Sequence, residues 1–121
     1  MTLARFLKAL ALYNVVLLGL VWIAAPQAGL GAEPDPYATM IARALGTNLV
    51  VIGVMNWLVS SQPIPLMRKF LWPNLATHLV PAAISTANIL AGTFPARNWI
   101  GVVIHLIPAV ALIAYAVRPP S

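Results

Sequence analysis

The residues of this sequence best suited to chemistry are two histidines, His78 and His105, and the chain contains no others. Paired imidazoles can hold a haem iron from both sides, but the two ligands must then lie at nearly one depth in the protein. The turn predicted between the third and fourth helices places His105 about six residues inward and His78 about fourteen, an offset on the order of 12 Å at the helical rise. We therefore expect no cofactor, and neutral histidines bonded to neighbouring helices.

Acidic residues are nearly absent. Glu33 and Asp35 are the only ones, and both lie in a predicted loop rather than in an apolar stretch. Proton-coupled transporters normally need a carboxylate inside the membrane, and a Ser/His/Asp triad needs its acid at the depth of its histidine. The chain also lacks cysteine, which excludes disulfides and thiolate metal sites, and it contains no glycine-rich phosphate loop. We predict no catalytic or metal-binding residues and a protein that is not an enzyme.

Polar residues within the apolar stretches form the one candidate site. Counted inward from the predicted outer surface, several lie at similar depths, and polar side chains in a membrane normally face the protein interior. They suggest a polar pocket in the outer half, lined by Asn14, Arg43, Asn48, Asn88 and His105. The remaining polar residues are predicted near the cytoplasmic headgroups: Asn56, Asn74, Thr77 and His78. The competing hypothesis is a hydrogen-bonded core with no cavity, in which Asn14 and Asn48 bond across helices at about 0.6 kcal/mol.

Arg43 has two main interpretations, with binding of an anionic ligand as a third. Its apolar stem can cross the edge of the membrane while the guanidinium reaches the headgroups. Alternatively, Arg43 pairs with Glu33 or Asp35, which are predicted to lie on the same side of the membrane.

Composition indicates the elements that position these residues. The chain of 121 residues is 61% hydrophobic and only 7% charged, whereas soluble domains carry about 25% charged residues. Four stretches without charge each have room for the roughly 20 residues that cross a bilayer, and lipid favours helices because they satisfy their own backbone polar groups. We predict an all-α fold, a four-helix transmembrane bundle forming one domain, with spans at about 3–25, 39–60, 74–92 and 99–117.

Orientation follows from the basic residues. With four spans in up-down-up-down order, they divide five to two between the sides of the membrane: Arg5, Lys8, Arg68, Lys69 and Arg118 against Arg43 and Arg97. The positive-inside rule then places both termini in the cytoplasm, in the inner (plasma) membrane. The first apolar stretch is long for a cleaved signal peptide, so we expect it to be retained. Scattered basic residues do not form a nucleic-acid patch.

Small residues predict how the helices pack, because close approach of backbones replaces the hydrophobic drive that lipid removes. Gly46 and Gly53 lie two turns apart on one face of the second span. Ala83, Ala87 and Ala91 form a row at four-residue spacing in the third.

The run from Ala42 to Leu58, with Arg43 and Gly46 near its outer end and Gly53 deeper, resembles the second helix of small four-span bacterial inner-membrane proteins of unknown function, in the neighbourhood of DoxX-like proteins. The resemblance implies location and fold, and no reaction.

These observations predict a non-enzymatic membrane protein, either free-standing or an accessory subunit of a membrane complex. Its partners would be the lipid bilayer and other membrane subunits or further copies of itself. The alternative is a small transporter, or a lipid- or quinone-binding protein that uses the outer polar pocket. A third hypothesis, a membrane enzyme, would need a carboxylate brought inward from the first loop.

Overall fold

The computed structural model describes residues 1–27 and 36–118, which are helical with short turns and contain no strand. Four long helices occur within these ranges: α1 (Leu3–Ala24), α2 (Pro36–Val59), α3 (Ile64–Leu90) and α4 (Trp99–Val117). A π-helical segment, Tyr13–Gly19, interrupts the regular turns of α1. The predicted all-α fold is confirmed for this part of the chain.

Three of the helical segments are long and apolar enough to cross a membrane: Leu3–Ala24, Pro36–Val59 and Ala96–Val117. Their ends agree with the predicted spans within a few residues, because the Pro-rich and Gly-rich connections end helices. The third predicted span differs. Helix α3 begins at Ile64, well before Asn74, and continues through Pro73 and Pro81. Its charged and polar residues make α3 less apolar, and it is not among the three helical segments that are long and apolar enough to cross a membrane.

Two compact units make up the chain, Met1–Pro63 and Ile64–Ser121. In the first unit, α1 packs on α2. Helix α1 begins with Thr2 as its N-cap, whose hydroxyl accepts a hydrogen bond from the backbone N–H of Arg5 at 3.3 Å. Helix α2 ends where the hydroxyl of Ser60 donates to the carbonyl of Trp57 at 2.6 Å. Such caps satisfy backbone groups that a helix end leaves without a partner.

Glycines set the distance between α1 and α2. A Cβ atom added at Gly46 would lie 2.7 Å from the carbonyl oxygen of Gly19, and one at Gly53 would lie 2.7 Å from Val15 Cγ2. The backbones therefore approach as closely as small-residue packing in membranes allows. The predicted packing face of Gly46 and Gly53 is confirmed. Gly19 forms the α1 side of this contact. A Cβ atom added at Gly19 would lie 2.6 Å from Val50 Cγ2, so this position also has no room for a side chain.

The second unit is a hairpin of α3 and α4. Arg68 Nη2 donates to the carbonyl oxygen of Ala116 at 2.8 Å, and ten residues further along α3, His78 lies beside His105. Contacts that advance along α3 while receding along α4 show that the two helices are antiparallel. The turn between them follows Gly92, whose positive φ of 75° suits a residue without a side chain.

The alanine row predicted for the third span does not pack against α4. Ala83, Ala87 and Ala91 are all exposed, whereas Ala82 is buried. The face of α3 that is buried carries Met67, Leu71, Asn74, His78 and Ala82.

Candidate functional site

The most concentrated polar chemistry in the described residues is a pair of buried histidines in the second unit. His78 is fully buried and His105 is 5% exposed. Their Nδ1 atoms lie 3.2 Å apart, and the ring planes are inclined by 48°. At this distance one Nδ1 donates a proton and the other accepts, so at least one ring is neutral. Protonation of both rings would set two N–H groups against each other and break the bond.

The predicted depth offset between His78 and His105 is therefore wrong. The prediction counted the depth of each histidine inward from the predicted turn, as if both helices met the turn at one level. In the structure the chain reverses at Gly92, and the 3₁₀ turn Ala96–Asn98 contacts α3 again. Trp99, the first residue of α4, precedes His105 by six residues. Since the helices are antiparallel and His105 lies beside His78, α4 begins beside the residue about six positions after His78, and not beside the end of α3. This shift brings the two histidines to one level.

The geometry of the pair also bears on cofactors. Two imidazoles on opposite sides of one iron need nitrogens about 4 Å apart, given metal–nitrogen bonds of about 2 Å. The two Nδ1 atoms, at 3.2 Å, bond to each other instead. Across residues 1–27 and 36–118, no third His, Asp or Glu joins them to form a metal-ligand cluster. The pair is arranged as a hydrogen bond between helices, as expected for neutral membrane histidines. The absence of a cofactor stays a prediction.

Asn74 extends this polar core by one helical turn. It is fully buried on the same face of α3 as His78, and its Nδ2 donates to the carbonyl of Phe70 at 2.9 Å. The sequence predicts Asn74 and His78 near the cytoplasmic headgroups. Both side chains are buried within the protein, which does not decide their depth in the membrane, so that placement stays a prediction. The signal for their burial was available in the spacing of Asn74, His78 and Ala82, which places them on one helix face.

A second set of buried polar groups lies in the first unit. Asn14, in the π-helical segment of α1, is fully buried, and neither its amide nitrogen nor its amide oxygen has a hydrogen-bond partner in the described chain. Asn56 of α2 is also fully buried. A buried amide without partners is costly, and π-helical segments are frequently found at functional sites.

The hypothesis that Asn14 and Asn48 bond to each other is wrong. Asn14 lies opposite Gly53, where its Cβ is 3.2 Å from an added Cβ, while Asn48 is exposed. The antiparallel register explains this. Gly53 is five residues beyond Asn48, so the two lie about 140° apart around the axis of α2. Gly53 faces α1 and Asn48 points away from it.

The five residues proposed for an outer pocket have different environments. Asn14 and His105 are buried, Arg43 and Asn48 are exposed, and Asn88 is half-buried. In the first unit, Asn14 is therefore not brought together with Arg43 and Asn48. In the second, Asn88 lies about 15 Å along α3 from the level of His105 and accepts a bond from Thr93 Oγ1 at 3.2 Å.

Arg43 is exposed, and its backbone carbonyl accepts a hydrogen bond from the hydroxyl of Thr47 at 2.9 Å. The predicted partners Glu33 and Asp35 lie outside the described residues, so pairing with Arg43 stays a prediction.

The chain has no significant match to any protein-family model, curated protein or solved structure. The resemblance of its second helix to DoxX-like proteins therefore stays a prediction, and the residues themselves carry the functional argument.

Proposed function

We propose that this chain is a non-enzymatic, four-span inner-membrane protein that works by associating with other membrane subunits. In this proposal the helices run up-down-up-down and both termini lie in the cytoplasm. Three helical segments long and apolar enough to span support the membrane location. The five-to-two division of basic residues supports the orientation.

The distribution of polar groups on α3 supports a fourth span. Helix α3 has 27 residues, enough for about 40 Å at the helical rise. Its charged residues, Arg68 and Lys69, lie in its first two turns, and further along the helix Asn74 and His78 are fully buried. The outward side is apolar, with Trp72, Val80 and Ile84 exposed. A helix that hides its polar residues against a neighbour can cross lipid although its mean hydropathy is modest.

The observation that carries the association is the exposure of Asn48. This residue lies at the middle of α2, and its side chain is exposed rather than turned toward α1. An amide facing hydrocarbon has no partner for its donors and acceptor, so polar residues within spans normally face protein. Ala44, one turn away, is also exposed and leaves room for a second helix. A partner helix over Asn48 would satisfy the amide.

A photo-crosslinking amino acid placed at position 48 tests this association in cells. We expect a discrete protein adduct from position 48 and none from position 54, because Val54 is exposed on another side of the same helix. Substitution Asn48→Leu should weaken the association about threefold, the equivalent of one average hydrogen bond between membrane helices. Equal labelling from both positions, or none from position 48, would contradict the proposal.

The alternative, a small transporter or a lipid- or quinone-binding protein with an outer polar pocket, has less support. It requires Asn14, Arg43 and Asn48 to line one cavity, and the first is buried while the other two are exposed.

A further inference from the structure

An apolar groove runs along the surface of the first unit between α1 and α2. Its walls carry no polar side chain except the indole of Trp57. The residues that line it are Ala11, Leu12, Val15, Gly53, Val54, Trp57 and Leu58. The small residues Ala11 and Gly53 let the two helices approach and form its floor, while Leu12 and Leu58 are more than half exposed and form its rims.

A positive charge lies at one end of this groove. Lys8 precedes Ala11 and Leu12 by one turn of α1, and its Nζ lies 5.3 Å from the centroid of the Trp57 ring. This distance is within the range of a cation–π contact. Because the indole also lines the groove, the contact places the ammonium directly at the groove end. Arg5, one turn earlier on α1, is exposed and adds a second cation nearby.

We propose that this groove binds one acyl chain of a phospholipid whose anionic headgroup is held by Lys8. The apolar groove and the cation at its end together support a phospholipid as the ligand. A groove lined by aliphatic and aromatic side chains takes a hydrocarbon chain, and a cation at its end takes a phosphate. Basic residues at the ends of membrane helices recognise anionic headgroups in this way. The occupant comes from the surrounding bilayer, since the groove opens on the surface of two helices that are apolar enough to span it.

The leaflet from which the lipid comes depends on the orientation proposed above, which puts Lys8 at the cytoplasmic face. Binding itself does not depend on that orientation, and a measurement in detergent solution separates the two. A reversed topology would change the leaflet and leave the affinity unchanged.

Native mass spectrometry of the full chain in mild detergent, titrated with phosphatidylglycerol or with phosphatidylcholine of the same acyl chains, tests the site. We expect one tightly bound phosphatidylglycerol, with phosphatidylcholine bound more weakly. Lys8→Gln should lower phosphatidylglycerol affinity about fivefold, the effect of one basic residue at the membrane surface, and lower phosphatidylcholine affinity less, because the choline group offsets the charge of that phosphate. Lys69→Gln is the matched control, because Lys69 is also exposed but lies in the other unit.

A second pair of variants tests the groove without changing charge. Val54→Trp should fill the groove and weaken both lipids, whereas Val51→Trp should weaken neither, because Val51 is similarly exposed on α2 but does not line the groove. The proposal is overturned if Lys8→Gln behaves like Lys69→Gln, or if Val54→Trp behaves like Val51→Trp. It is also overturned if Val54→Trp abolishes a dimer and leaves lipid binding intact, since a second copy would then be the occupant.

Discussion

The Nδ1 atoms of His78 and His105 share a hydrogen bond 3.2 Å long that joins α3 to α4. Both side chains are at least nine-tenths buried, so water does not compete for the bond. A buried polar pair of this kind fixes the register of two helices, because sliding either helix by one turn would leave both imidazoles without a partner.

Removing both histidines should destabilise the second unit by less than the sum of the two single removals. His78→Leu or His105→Leu leaves a buried nitrogen without its partner, which costs about 1–3 kcal/mol. The double variant replaces both polar groups by apolar ones and should cost less than the sum of the two single changes. The free energy of unfolding in detergent, measured for the four proteins of this cycle, gives the coupling. Thr77→Val serves as a control, since the Thr77 hydroxyl bonds only within α3, to the carbonyl of Pro73. Strictly additive losses would show that the two rings do not interact.

The purified protein should be colourless. The reason now differs from the one drawn from the sequence, because the histidines lie at one level but bond to each other. An absorption spectrum of protein purified without added haem checks this. A stoichiometric Soret band that disappears in His78→Ala or His105→Ala would contradict the prediction and would require the two rings to separate around an iron.

Enlarging Gly46 should weaken the packing of α1 on α2. The added methyl group of Gly46→Ala would meet the Gly19 carbonyl oxygen at 2.7 Å and Trp22 Cβ at 2.9 Å. Backbone atoms cannot turn aside as a side chain can, so we expect a loss of about 1–3 kcal/mol. Thermal unfolding in detergent measures it.

The matched control for this change is Gly101→Ala. An added Cβ at Gly101, within α4, has no atom within 4 Å, so alanine should be neutral or stabilise by up to about 1 kcal/mol through helix propensity. If both variants unfold at the same temperature, α1 and α2 are further apart at Gly46 than these distances indicate.

Single cysteines should report the proposed orientation. With both termini in the cytoplasm, cysteines at Ser61 and Ser121 should resist an impermeant thiol reagent in intact cells, whereas those at Ala32 and Thr93 should react. The sequence contains no cysteine, so only the introduced thiol can react with the reagent. Reaction at Ser61 with protection at Ala32 would invert the orientation, and reaction at both Ser61 and Thr93 would show that α3 does not cross the membrane.

The sequence by itself determined the helices of this protein and part of their packing. In lipid a helix satisfies its own backbone hydrogen bonds, so long charge-free stretches favour helices. Such stretches, ending in Pro-rich or Gly-rich segments, predicted the ends of α1, α2 and α4 within a few residues. The spacing of Gly46 and Gly53 predicted the face of α2 on which α1 packs, because only one face of α2 carries this pair.

Only the tertiary structure decided which polar residues meet. Helical periodicity assigns each residue to a face, but the alignment of two helices depends on the path of the chain between them. The reversal at Gly92 set α4 back along α3, which brought His105 to His78 and separated it from Asn88. The antiparallel contact of α1 with α2 likewise places Asn14 opposite Gly53 and leaves the side chain of Asn48 exposed. Depth counted along a sequence cannot include these shifts, because each is fixed by side-chain packing between helices.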